Sequence, residues 1–329
     1  TDVIARLPAS GRRGVLIGAH GDHLGLGEVS SSLADVRERN LPHIGADDNA
    51  SGVAGVLELA HFFAELRRKA PARIRQDIYF AIWSAEELGV LGSSYFAETW
   101  RHPSQKKFNE FFTAALNMDM IGRLRERLLV QGVGSGPEWR TLAEKIALKH
   151  NIPLGLMDDP FAPTDSMAFY VAGIPSINFF TGSHAEYHTP RDTEELINYP
   201  GLVDTIKVVA AFTGDLVSSE KAKVTWQKVE SSRKPLEGRS FRIYLGTIPD
   251  YSQDGVKGVR ISGVSKNSPA EKAGLQAKDV IVELAGTTIE NIYDYVYTLQ
   301  SMEPDKDTLI KVRRSDRIVE LNIVPKLKE

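Results

Sequence analysis

Two glutamates, Glu86 and Glu87, follow the apolar run Phe80-Ala81-Ile82-Trp83, with no Lys or Arg between Phe80 and Gly89. Adjacent carboxylates repel, and burying them costs several kcal/mol. An isolated pair reads most simply as a helix cap, where negative charge meets the helix dipole. This pair is not isolated. His20-Gly21-Asp22-His23 follows one apolar run, and Asn117-Met118-Asp119 ends another. Gly45-Ala46-Asp47-Asp48-Asn49 precedes a long helical pattern, and Tyr187-His188-Thr189-Pro190 follows a further apolar run. Singly, each has a plain reading: His20 as a hydrogen-bonded core histidine, Asp47 as an N-cap, Asp119 as a turn residue, His188 as a loop residue.

The elements that carry these residues decide between the readings. The runs 14–19, 77–83, 111–119, 127–133 and 176–180 read as strands. Helical spacing begins at Asn49 or Ser51 and continues through Leu66, and it returns over 92–100, 138–150 and 202–217. Strands alternating with helices predict an α/β fold, a sheet with helices on both faces. Open sheets of this kind bind ligands beyond the carboxyl ends of their strands, where the Asp, Glu and His residues stand. Such a group would carry about three negative charges and would repel or take up protons without a cation. A pair of divalent ions resolves the conflict, and nitrogen and oxygen donors without sulfur suit zinc.

Composition narrows the rest. The 329 residues suffice for two domains or one large one, and 42% hydrophobic content is ample for a core. Forty Lys and Arg against 43 Asp and Glu give a net charge of −3, which leaves no broad basic field for nucleic acid. No apolar run approaches the ~18 residues needed to span a membrane. The absence of cysteine excludes disulfides and thiolate zinc sites. The start Thr1-Asp2-Val3, with neither Met nor signal sequence, reads as a fragment or processed form.

The succession H-x-D, G-A-D-D-x-A-S-G, E-E, N-x-D-M-x-G and Y-H-x-P-x-D resembles the M28 family of zinc aminopeptidases. It is carried by His20 to Asp22, Gly45 to Gly52, Glu86-Glu87, Asn117 to Gly122, and Tyr187 to Asp192, in the family's order. The resemblance covers residues 1 to about 217 and implies a mixed, mostly parallel sheet of zinc-exopeptidase type. It implies two zinc ions, one held by His20 and Asp119, the other by Glu87 and His188, with Asp47 bridging. It makes Glu86 the general base for a metal-bridged water that cleaves N-terminal residues from peptides. Asp22 would fix the tautomer of His20 by accepting its other ring proton, and Tyr187 would donate to the oxyanion. A cis peptide between Asp47 and Asp48 is also implied. His23, His43 and His184 match no ligand position and read as pocket or rim residues. M20-type metallopeptidases share H-x-D and E-E but carry an inserted lid, for which the stretch between Asp119 and His188 leaves no room.

Near residue 220 the character changes. The predicted organisation is a catalytic domain over 1–220, a polar linker over 221–238 and a β-rich domain over 239–329. Short strands are expected at 241–248, 257–264, 279–286, 307–314 and 317–324, with a helix over 291–302. The segment 267–286, Asn-Ser-Pro-Ala-Glu-Lys-Ala-Gly-Leu-Gln-Ala-Lys-Asp-Val-Ile-Val-Glu-Leu-Ala-Gly, resembles the signature of PDZ domains. That resemblance implies capture of a peptide or protein C-terminus as an added strand, with Tyr244, Leu245 and Gly246 as the carboxylate-binding loop. Two alternatives stand beside the aminopeptidase: a related zinc hydrolase or cyclase on the same scaffold, and an inactive scaffold presenting the PDZ domain. A secreted or periplasmic location is expected, because enzymes of this kind process external peptides.

Overall fold

A computed structural model of the chain describes all residues except 10–11, 28–31, 35, 39, 104–105, 222, 230–242, 251–255, 291–293, 296–297, 300–301 and 328–329. The chain forms two compact units. The first comprises Thr1–His23, Gly45–Thr181 and Thr193–Glu230; the second comprises Leu24–Ile44, Gly182–Asp192 and Ser231–Glu329. The boundaries drawn from composition follow chain order, whereas this grouping gathers one early and one middle segment with the last. Much of the expected linker, residues 222 and 230–238, lies outside the described residues, as does part of the expected helix over 291–302.

The first unit is built on a seven-stranded sheet in the order β1-β3-β2-β4-β7-β5-β6. Its strands are β1 (Val3–Leu7), β2 (Gly14–His20), β3 (Asp77–Trp83), β4 (Phe112–Met118), β5 (Leu128–Gln131), β6 (Leu154–Met157) and β7 (Ser176–Phe180). β1 runs antiparallel to β3 and β5 antiparallel to β7; the remaining neighbours are parallel. The sheet is therefore mixed and mostly parallel. Its helices are α1 (Gly52–Lys69), α2 (Leu91–Thr99), α3 (Phe108–Phe111), α4 (Glu138–His150), α5 (Asp165–Val171) and α6 (Tyr199–Val217). Alternation along β2 shows how both faces are covered. Val15, Ile17 and Ala19 join a core with Leu59 of α1, Trp139 of α4 and Phe212 of α6, while Leu16 joins Phe96 of α2 and Phe169 of α5. A strand buried on both faces must be apolar throughout, which is why β2 reads as one continuous run.

The second unit contains antiparallel β structure: β8 (Ile243–Tyr244), β9 (Thr247–Pro249), β10 (Val259–Val264), β11 (Val280–Leu284), β12 (Thr287–Thr288), β13 (Thr308–Arg314), β14 (Arg317–Ile323) and β15 (Lys326–Leu327), with the short helix α7 (Pro269–Ala273). The main sheet runs β14-β13-β11-β10-β9, with β12 on β11, and β8 pairs with β15. Leu245, Ile261, Ile281 and Val312 lie at its core. Asp279, whose side chain is only 1% exposed, receives the Arg314 guanidinium on both carboxylate oxygens at 2.7 Å. That bidentate pair ties the start of β11 to the end of β13.

Candidate metal centre

β2 ends at His20 and β3 at Trp83, and the Gly21 N–H donates to the Trp83 carbonyl at 2.8 Å, which keeps the two strand ends level. Beyond β3 the backbone turns through Ala85, whose φ of 56° is the left-handed conformation a side-chain-bearing residue seldom adopts. The carboxylate of Asp22 pins the next two residues by accepting the N–H groups of Glu86 at 3.1 Å and Glu87 at 3.2 Å. Asp22 was expected to hold His20 with that carboxylate. Instead its backbone carbonyl lies 3.1 Å from His20 Nδ1, and the carboxylate oxygen stands 3.9 Å away. The side chain is committed to the glutamate turn, and the main chain takes over the histidine.

Asp119 follows β4, and its N–H donates to Phe179 at the end of β7. A knot of polar contacts sets it against the turn that precedes α1. Asn49 Nδ2 donates to the Met118 carbonyl at 3.0 Å, and Ser51 Oγ accepts the Ile121 N–H at 3.1 Å. The turn starts from Gly45 at φ 63°, and a Cβ there would meet the Asp48 carbonyl at 2.3 Å. This geometry settles which aspartate faces the other donors. Asp47 is turned away and fully buried, and its Oδ1 accepts the Gly122 N–H at 2.6 Å. Asp48 Oδ1 lies 3.2 Å from His20 Nε2. Asp48, one residue after the Asp47 expected to bridge, is thus the aspartate beside His20, and the cis peptide lies between Asp48 and Asn49 rather than between Asp47 and Asp48.

Among the described residues, two trios of histidine and carboxylate donors have ligand atoms within 4.8 Å of one another: His20, Asp48 and Asp119, and His23, Asp48 and Glu87. Asp48 is common to both. His20 Nε2 is 3.3 Å from Asp119 Oδ1 and 4.0 Å from Glu86 Oε2. His23 Nδ1 is 2.9 Å from Glu87 Oε1. Sequence reasoning named Asp47 and not Asp48, and it read His23 as a pocket or rim residue because it matches no ligand position.

Burial dominates the electrostatics. It pushes the Glu86 carboxyl well above its usual range, with neighbouring His20 opposing and Asp119 adding. Asp119 is raised for the same reason. For His20, burial works against protonation, but the charges of Asp119 and Glu86 outweigh it and hold the imidazole well above its ordinary value. A third buried carboxyl, Asp165 at the start of α5, is pushed up to about 7 by burial, with His20 and the Ser93 hydroxyl opposing. A buried group that strains against its own negative charge and offers only nitrogen and oxygen donors fits divalent cations.

Tyr187 and His188 belong to the second unit and to neither trio. His188 has a φ of 56°, its carbonyl accepts the Leu33 N–H at 2.8 Å, and its ring stacks on that of Tyr187 with centroids 3.7 Å apart. Arg191 and Glu38 form an ion pair between the same two segments. His43 and His184 also lie in this unit; Ser32 Oγ is 2.8 Å from His43 Nε2. In the proposed peptide loop, Leu245 is buried and its carbonyl accepts the Ala270 N–H, while Gly246 adopts a φ of 79°.

The model for peptidase family M28 matches residues 2–213, and that for a PDZ domain matches residues 260–314. Aminopeptidase YwaD of Bacillus subtilis is 33% identical over 198 residues, covering 56% of this chain and 40% of its own length. Leucine aminopeptidase 1 of Grosmannia clavigera is 26% identical over 235 residues, 68% of this chain and 54% of its own. The chain therefore spans about half the length of these curated relatives. Among solved structures, the zinc aminopeptidase BSAP of B. subtilis superposes with a TM-score of 0.53 at 24% identity, covering 68% of this chain and 52% of that one. A glutaminyl cyclase of Bacteroides thetaiotaomicron shares the fold with a TM-score of 0.52 at 20% identity, over 67% of this chain and 77% of that one.

Proposed function

Because the chain belongs to peptidase family M28, we propose that it is a two-zinc aminopeptidase acting on the N-terminal residues of peptides. The observation that carries this reading is the pair of donor trios sharing Asp48 at the carboxyl edge of the sheet. His20 and Asp119 would hold one ion and Glu87 the other, with Asp48 common to both. Bound there, the ions would polarise the scissile carbonyl and make water a stronger acid. The remaining chemistry belongs to the chain. Glu86, whose Oε2 stands 4.0 Å from His20 Nε2, takes the proton of the attacking water and returns it to the departing amine. Asp22 keeps Glu86 and Glu87 in register by holding both of their N–H groups. Metal content per chain, chelation followed by zinc addition, and a panel of aminoacyl-nitroanilides test the proposal. Activity that survives complete chelation would refute it.

The cyclase reading is kept because glutaminyl cyclases share this fold. Turnover of an N-terminal glutaminyl peptide, set beside the nitroanilide panel, distinguishes the two. For the second unit we propose binding of a peptide C-terminus along β9, which stands at the end of its sheet. Peptide substrates suit a secreted or periplasmic enzyme, which fractionation of the source cells would test. No helix among the described residues is long and apolar enough to cross a membrane.

A further inference from the structure

His23 stands outside the ligand set that the family motif implies, yet it is built into the site. Its Nδ1 lies 2.9 Å from Glu87 Oε1, and the two side chains are only 10% and 6% exposed. The ring also lies against the Gly45 turn, where a Cβ on residue 45 would come within 2.7 Å of His23 Cγ and Cδ2. The absence of a side chain at Gly45 therefore leaves space for this ring, on the turn that leads to Asp48. An ionised carboxylate can only accept, so the nitrogen facing Glu87 must carry the proton.

We propose that His23 is a positioning residue for Glu87: its Nδ1–H holds Oε1, fixes the rotation of the carboxylate, and leaves Oε2 as the donor toward a cation shared with Asp48. The inference rests on the reading that Glu87 holds a metal ion. It differs from direct ligation, because a nitrogen that donates a proton to Glu87 has no lone pair to offer a cation. Outer partners of this kind typically contribute about 10–100-fold to metal affinity.

Two measurements test it. In the first, zinc is titrated against a chromophoric chelator, with circular dichroism as a check on folding. His23→Ala should weaken one of the two bound ions by about 10–100-fold and spare the other. His23→Asn, whose amide nitrogen reaches nearly the place of Nδ1, should recover most of that loss, and His23→Gln should not. Unchanged affinity in His23→Ala overturns the proposal. So does loss of a full equivalent of zinc in the alanine and asparagine variants alike, which would mark His23 as a ligand. In the second, nitrogen-15 spectra of the metal-free chain should show His23 protonated at Nδ1, with that signal displaced in Glu87→Gln. A His23 protonated only at Nε2 overturns the positioning role, whereas a wild-type chain that takes up no zinc overturns the metal reading; the two failures are read on separate measurements.

Discussion

Glu86 Oε2 lies 4.0 Å from His20 Nε2, whereas Glu87 Oε1 lies 2.9 Å from His23 Nδ1. Neighbours in sequence thus face different partners, and substitution should separate them. Glu86→Gln keeps the shape but cannot accept a proton, so both ions should remain while kcat falls about 10²–10⁴-fold. Glu87→Gln should weaken zinc binding, since a neutral amide is a poorer ligand than a carboxylate. Metal content measured beside kcat tests the division, and zinc loss in Glu86→Gln with retention in Glu87→Gln would reverse it. A second contrast concerns the adjacent aspartates. Asp48→Asn should impair metal binding, while Asp47→Asn retains an acceptor for the Gly122 N–H and should bind zinc nearly as the parent does. The sequence made the acids and histidines legible as a set, but which of two adjacent aspartates points inward depends on a backbone turn that residue types alone do not encode. Protonation offers a further test. The folded-state pKa of Asp165 is raised to about 7, so its burial opposes folding above that pH, and the cost fades as pH falls toward the ordinary carboxylate range. His20, also raised, stabilises the fold below its unfolded value and loses that contribution as pH rises through its folded one. Both signs agree: metal-free protein should melt higher in mild acid than above neutrality. Asp165 alone contributes up to roughly 4 kcal/mol, and Asp165→Asn should flatten the profile.

The turn from Gly45 to Ser51 joins three parts of the site: it carries Asp48, it leaves room for His23, and its polar side chains grip the segment after β4. Gly45→Ala should therefore do more than strain one residue. The left-handed backbone costs about 1–2 kcal/mol for a side-chain-bearing residue, and the added Cβ collides with the Asp48 carbonyl and the His23 ring. Chemical denaturation should register the first effect and zinc affinity the second; an alanine variant with unchanged zinc affinity would show that the turn is not a positioning device. The elements that hold the site were largely visible beforehand. β3, α4 and β7 begin and end at the residues expected from periodicity, because long apolar or amphipathic runs leave little choice. β1, β6 and α5 went unread. β1 is a largely exposed edge strand in which alternation is weak, β6 is only four residues long, and α5 is seven residues long, about two turns, too short to set up a period.

At the scale of the whole molecule, the bidentate pair between Asp279 and Arg314 offers a test confined to the second unit. Asp279→Ala leaves a partly exposed guanidinium without its partner and should cost about 2–3 kcal/mol, below the value for a fully buried pair. A chain cut before Ser231 should keep the seven-stranded sheet and its donor trios, since all lie in the first unit, and should still bind zinc. Its turnover should fall, because the segments 24–44 and 182–192 would lose the residues they group with. Loss of zinc binding in a well-folded truncate would mean that the later residues complete the site. The same discontinuity has a consequence for how the protein is made. Residues 24–44 are synthesised before most of the sheet, but the last part of their unit follows only from residue 231 onward. At about 5–20 residues per second the wait is on the order of 10–40 s. By residue 231 every strand of the seven-stranded sheet has been made, while residues 24–44 and 182–192 still lack the last part of their unit. A chain ending before residue 231 should then be cleaved by protease faster within 24–44 and 182–192 than the 329-residue chain is, and equal rates would show that these segments hold without their later neighbours.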